Sequence, residues 1–135
     1  SNLMLKLKKA TNNEYYYEAI FLEYAILEDR TESLLKHAKI KYRKENEQSF
    51  KLIEKLRKIR ERLEFQNKYI KKHLTNELID KIIIWKRQRD TLMHDIVNMT
   101  YENKEIKDIA LEGECLVKRL NNKTKLVNNY LDTKI

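Results

Sequence analysis

Thr75-Asn76-Glu77-Leu78-Ile79-Asp80-Lys81-Ile82-Ile83-Ile84-Trp85-Lys86-Arg87-Gln88-Arg89-Asp90-Thr91-Leu92-Met93-His94-Asp95-Ile96 is the stretch that decides the fold class of this chain. Thr75 and Asn76 offer a helix cap, and Glu77 suits a first helical turn. Leu78, Ile82, Trp85, Leu92 and Ile96 then follow the spacing of a helix packed along one apolar seam. Arg89 occupies a seam position where that pattern calls for an apolar residue. A guanidinium there needs a partner or a route to water, so its presence asks for a reason.

The same period extends in both directions. Thr11-Asn12-Asn13-Glu14 has the form of a capping box, and a first helix is expected from there through Ile20, Tyr24, Leu27, Leu34 or Leu35, Ala38 and Tyr42. After the polar lapse at Glu45-Asn46-Glu47, with Asn46 as cap, a second stripe runs Leu52, Leu56, Ile59, Leu63, Gln66, Ile70. Thr100 would cap a fourth helix through Ile106, Ile109, Leu116, Leu120, Leu126 and Leu131. Gly113 marks a bend in it, and Asn121 to Thr124 a weak stretch.

Composition agrees. Pro is absent, Gly113 is the one glycine, and 37% of residues are charged against 41% hydrophobic, which suits helices joined by polar turns. The expected fold is all-α: an antiparallel up-and-down four-helix bundle with helices of roughly 25 to 30 residues, each around 40 Å long. One domain is expected over residues 1–135, its ordered core from about 12 to 131. Ser1-Asn2 has the form of a cleaved-tag remnant and is left out of that reading. No apolar run approaches a membrane span and no signal peptide is visible, so a cytoplasmic location is expected. Cys115 stands alone and reads as a small buried hydrophobe.

The net charge of +8 is unevenly spread: residues 36–72 hold fourteen Lys or Arg against five Glu. A solvated helix face, a nucleic-acid surface with Lys55, Lys58 and Arg62 on phosphates, and a site for an acidic protein partner all fit that segment.

Chemistry concentrates at the end of the third stripe. On an ideal helix Asp90 and His94 lie about 40° apart, so the carboxylate can orient the imidazole. Arg87 projects almost along the line of His94, which makes it a rival to Arg89 as phosphate-binding cation. Glu28 or Asp29 of the first helix could pair with Arg89. His37 and His73 read as exposed residues near helix ends, and the Tyr15-Tyr16-Tyr17 run reads more as core and helix entry than as a base-stacking surface. No zinc-ligand set, Gly-rich phosphate loop or serine nucleophile motif is visible, and no cofactor or metal is expected.

Arg89-Asp90-x-x-x-His94, inside a helical chain of this length, resembles the signature of HEPN domains. These are small helical bundles whose motif is Arg, then Asn, Asp or His, with a catalytic His about four to six residues beyond the Arg. The apolar-rich first helix ending in Leu27 to Leu35 and the Asp95-Ile96 pair after the histidine are similar too. The bare Arg-to-His spacing is expected by chance roughly 0.5 times in such a chain, and Arg30 with His37 repeats it; the strict form is expected roughly 0.03 times.

The resemblance implies a metal-independent endoribonuclease, of toxin or phage-defence type. His94 would act as general base or acid at the ribose 2′-hydroxyl or the leaving 5′-oxygen. Arg89 would stabilise the scissile phosphate, and Asp90 would orient the imidazole. It also implies RNA as partner, a homodimer that completes the site, and in some members an antitoxin. Where paired members carry a modified Tyr two residues after the His, this chain has Ile96. The competing reading is a non-enzymatic helical interaction or RNA-binding module, with Arg89 as a polar register device.

Overall fold

The computed structural model describes residues 2–44, 50–64, 68–95 and 103–133. The regular elements among the described residues are helices: α1 (Asn2–Asn12), α2 (Tyr16–His37), α3 (Leu52–Ile59), α4 (Lys68–His73), α5 (Asn76–Asp95) and α6 (Asn103–Asp132), with a π-helical turn over Arg60–Glu64 after α3. The expected caps Asn46 and Thr100, the stripe positions Gln66 and Ile96, and the side chain of Leu63 lie outside the described residues.

α5 follows its sequence pattern. The backbone N–H of Leu78 donates to Thr75 Oγ1 at 3.2 Å, the capping bond expected there. Leu78, Ile82, Trp85 and Leu92 are buried, together with Ile79 and Ile83.

The first helix does not begin at Thr11. Leu3, Met4, Leu7 and Ala10 keep helical spacing, and Leu7 and Ala10 are buried, so an additional helix, α1, precedes it. Thr11 to Tyr15 close that helix. Glu14 N–H donates to Thr11 O and Tyr15 N–H to Ala10 O, with Glu14 at φ 60°; this is a Schellman termination. Glu14 therefore cannot serve as an N-terminal capping residue.

α2 ends in the same way: Lys39 at φ 59° donates to Lys36 O, Ile40 donates to Leu35 O, and Leu35 and Ile40 are both buried. Glycine normally takes this left-handed position at no steric cost, and this chain places Glu and Lys there. Lys39→Gly is expected to raise stability by roughly 0.5 to 1 kcal/mol, read by urea unfolding. An unchanged midpoint would mean that no strain resides at that turn.

In the second expected rod α3 passes without a break into the π-helical turn, residues 65–67 before α4 lie outside the described residues, and α6 is a single helix of 30 residues. Gly113 does not break α6. A Cβ at that position would lie 2.1 Å from Glu23 Oε1 and 2.8 Å from Trp85 Cζ2, so the missing side chain is what lets α2 and α5 approach α6. Asn121 to Thr124 stay helical, with Thr124 fully buried. Near the end of α6 the apolar stripe shifts by one residue: Leu126 is exposed and Val127 is buried.

Packing gives one apolar cluster that draws on every described helix. The helix directions differ from those of an up-and-down bundle. His37 Nδ1 meets Asp132 Oδ1 at 2.7 Å and Asn128 Nδ2 donates to Ser33 Oγ at 3.0 Å, both pairs at a sequence separation of 95. Glu23 lies beside Gly113 on the same course. α2 and α6 are therefore parallel, whereas the first and fourth rods of an up-and-down bundle oppose each other. α5 runs antiparallel to α6: Trp85 Nε1 donates to Ile109 O at 2.9 Å, and Arg119 forms a two-point bond to Glu77 at 2.8 and 3.1 Å. Arg119 and Lys81 hold the Glu77 carboxyl down to about 2. No described helix is long and apolar enough to cross a membrane.

Candidate functional site

Because successive helix positions turn by about 100°, Arg87 and Arg89 leave α5 on different faces. Arg89 turns towards α2. Its guanidinium carbon sits 4.2 Å from the centre of the Tyr24 ring, and Nη1 donates to Asp90 Oδ1 at 3.0 Å. Its Nε is buried without a hydrogen-bond partner among the described residues. The anomaly in the seam is thus met by an aromatic face and a neighbouring carboxylate. Burial, then the charge and hydrogen bond of Glu28, push the Tyr24 phenol up to about 12, against the opposing pull of Arg89. Tyr24 remains a neutral donor.

The expected pairing of Glu28 or Asp29 with Arg89 does not occur. Glu28 takes the Tyr24 hydroxyl, and Asp29 binds Arg30 at 2.5 Å. Asp90 does not orient His94 either. One of its oxygens accepts from Arg89 and the other from Lys86 Nζ, one turn earlier. Two cations compete better for a carboxylate than an imidazole does. His94 itself is exposed, with no hydrogen bond or ion pair among the described residues. Lys86 was the missed member of this cluster; its position four residues before Asp90 was the available signal.

Arg87 is exposed and lines an open groove of about 520 Å³ between α5 and α6, with Ile84, Thr91, Asp108 and Ile109 among its walls. His94 falls about 20° from the Arg87 line and roughly 10 Å further along the axis. Of the two candidate cations, Arg87 is the exposed one, on the His94 line about two turns before it, while Arg89 is half-buried.

The remaining candidates separate. Lys55 is only 1% exposed, and its Nζ donates to Glu32 Oε1 at 2.6 Å. It ties α3 to α2 and offers no charge to a phosphate, which corrects its place among the phosphate-binding residues. Lys58 is half-buried, its ammonium 4.4 Å from the centre of the Phe50 ring, and Arg62 is exposed. Arg60 bonds Asp80 of α5. His37 and His73 are half-buried and engaged, the first with Asp132 and the second edge-on to Tyr69 at 4.6 Å. Partial burial, then Lys123 and Lys72, hold His73 below its ordinary value.

Cys115 is exposed, not buried. Tyr15 and Tyr17 are exposed as well, so the tyrosine run contributes less to the core than its sequence implied. Among the described residues no group of three His, Cys, Asp or Glu is placed to hold a metal.

Sequence reasoning gave no sign of Glu23. Its side chain is fully buried between α2, α5 and α6, and neither carboxylate oxygen has a hydrogen-bond partner among the described residues. Burial, with the Glu114 charge added, pushes it up to about 9. It is therefore a neutral acid at neutral pH. No family model, curated protein or solved structure matches this chain.

Proposed function

We propose that this chain is a metal-independent endoribonuclease in which His94 moves the proton of a ribose 2′-hydroxyl and Arg87 holds the phosphate. The observation that supports it is the exposed, unengaged imidazole of His94 along the solvent-facing line of Arg87, next to a carboxylate already neutralised by Lys86 and Arg89. Attack of the 2′-oxygen on the phosphorus forms a cyclic phosphate as the bond to the 5′-oxygen breaks. The 2′-proton passes to the base, and the departing 5′-oxygen takes a proton from an acid. One chain offers one such histidine, so a second copy would supply the other role. The HEPN-like arrangement, with α2, the α3–α4 unit, α5 and α6 as its rods, belongs to the same proposal, as do a cytoplasmic setting and an acidic antitoxin.

Arg89 becomes a positioning residue, since its guanidinium is held by Tyr24 and Asp90. That engagement also favours a second reading, an RNA-binding helical module that does not cleave.

Chelator-treated protein is expected to cut single-stranded RNA to cyclic-phosphate ends and to spare the deoxy strand. His94→Ala should lose about 100-fold or more in rate. Arg87→Ala should lose activity with its melting temperature intact, whereas Arg89→Ala should lose stability too. Cleavage that survives His94→Ala removes that residue from the reaction; binding without cleavage leaves the second reading.

A further inference from the structure

The basic segment becomes a defined surface only once the chain has folded. Phe50 N–H donates to Tyr42 O at 3.0 Å, which draws the stretch after α2 against the start of α3. Arg43 then lies 5.7 Å from the centre of the Tyr42 ring, and Lys58 4.4 Å from that of Phe50. Buried Leu52, Lys55, Leu56 and Ile59 turn one side of α3 inward. Lys51 and Lys58 fall within about 20° of one another on the other side, and Arg62 continues that line. Lys51, Arg43 and Arg62 are exposed and form no ion pair among the described residues. The acidic side chains described on this side are Glu54 and Glu61.

We infer that Arg43, Lys51, Lys58 and Arg62, gathered by the Tyr42–Phe50 contact, form an exosite for the phosphate backbone of a single-stranded nucleic acid. Three observations select this occupant. Two cations are held over aromatic rings, the combination that accepts unpaired bases as well as phosphates. No large apolar side chain is exposed among the described residues of 36–72, so nothing there would enter a lipid surface. Lys51, Lys58 and Arg62 also follow a line along α3 and its π-helical extension, as a backbone does.

The surface lies away from His94. α3 reaches α5 through Arg60 and Asp80, and roughly 20 Å of α5 separates Asp80 from His94. The exosite therefore holds a strand several nucleotides from the point of cleavage. It reads phosphates and not the 2′-hydroxyl, so a deoxy strand binds there as well and competes with RNA. This inference rests on the nuclease reading for its biological substrate but not for its test.

Binding is read in the His94→Ala chain, so that cleavage cannot intrude, with fluorescent oligouridylate and oligothymidylate over a range of salt. Changing Lys51, Lys58 and Arg62 together to Gln is expected to weaken both at least tenfold and to flatten the logarithmic salt slope by about 2, from about 0.7 per phosphate contact. Changing Lys8, Lys104 and Lys107 to Gln removes the same charge elsewhere and should move the slope by less than half as much. Combining Lys58→Arg, which keeps a cation over Phe50, with Lys51→Gln and Arg62→Gln should leave binding stronger than in the triple variant by one contact.

Equal effects of the two triple variants, or an unmoved slope, overturn the exosite. So does tighter binding of wild-type protein to phosphatidylserine vesicles or polyglutamate than to the oligonucleotides. A wild-type chain that binds through this surface but does not cut RNA sinks the nuclease reading alone, and one that cuts RNA with the slope unmoved sinks the exosite alone.

Discussion

Stability is expected to fall as pH rises from about 5 towards 9, and Glu23→Met is expected to remove that decline. Glu23 is pushed from 4.5 up to about 9, first by burial and then by the charge of Glu114. The folded chain thus holds this proton more tightly than the unfolded chain. Its stabilising contribution is complete below the unfolded value and is lost as pH rises through the folded one. At about 1.4 kcal/mol per pH unit, the folded state at pH 7 would stand roughly 3 kcal/mol below its acid plateau on account of this group.

Two other groups act in the opposite sense. The depressed Glu77 loses stability only as pH falls through the acid range towards about 2, and the depressed His73 does so as pH falls below the ordinary histidine range. The slope above neutrality therefore isolates Glu23. Urea unfolding across that range should give a flat profile for Glu23→Gln. Glu23→Met should be flat and also higher at neutral pH, by about 1 to 3 kcal/mol, because it removes an unsatisfied buried polar group. A wild-type profile as flat as that of Glu23→Gln would show that the carboxyl is hydrated in solution.

Trp85→Ala should be the most damaging single truncation, at about 3 to 5 kcal/mol. Trp85 is 1% exposed, bonds Ile109 O, and fills the space that Gly113 leaves open at the crossing of α5 and α6. Domains of this kind are stable by about 5 to 15 kcal/mol in total, so the variant should be close to unfolding at room temperature. Trp85→Phe keeps a ring but gives up the hydrogen bond and part of the volume, and should cost less than half as much. Circular dichroism in urea resolves the series. A loss for Trp85→Ala under about 1.5 kcal/mol would mean that the crossing repacks around the hole.

The helices and much of their inward faces could be read from the residue pattern, because both depend on residues a few positions apart. The Thr75 cap, the buried Leu78, Ile82, Trp85 and Leu92, and the all-helical class were legible for that reason. Thr11 to Glu14 misled because one string satisfies two local patterns, a helix start and a Schellman end, and packing of Leu7 and Ala10 selected the second.

Which charges face water and which helices run together emerges only from the packed fold. Lys55 looked like its neighbours until Glu32 of α2 received it, and Arg89 found Tyr24 where a carboxylate of α2 was expected. The parallel course of α2 and α6 and the enclosure of Glu23 against Gly113 have no local signature. The reason is physical: a helix pattern specifies which face turns inward, but the partner on that face, and the solvation of any charge placed there, depend on the packing of distant segments.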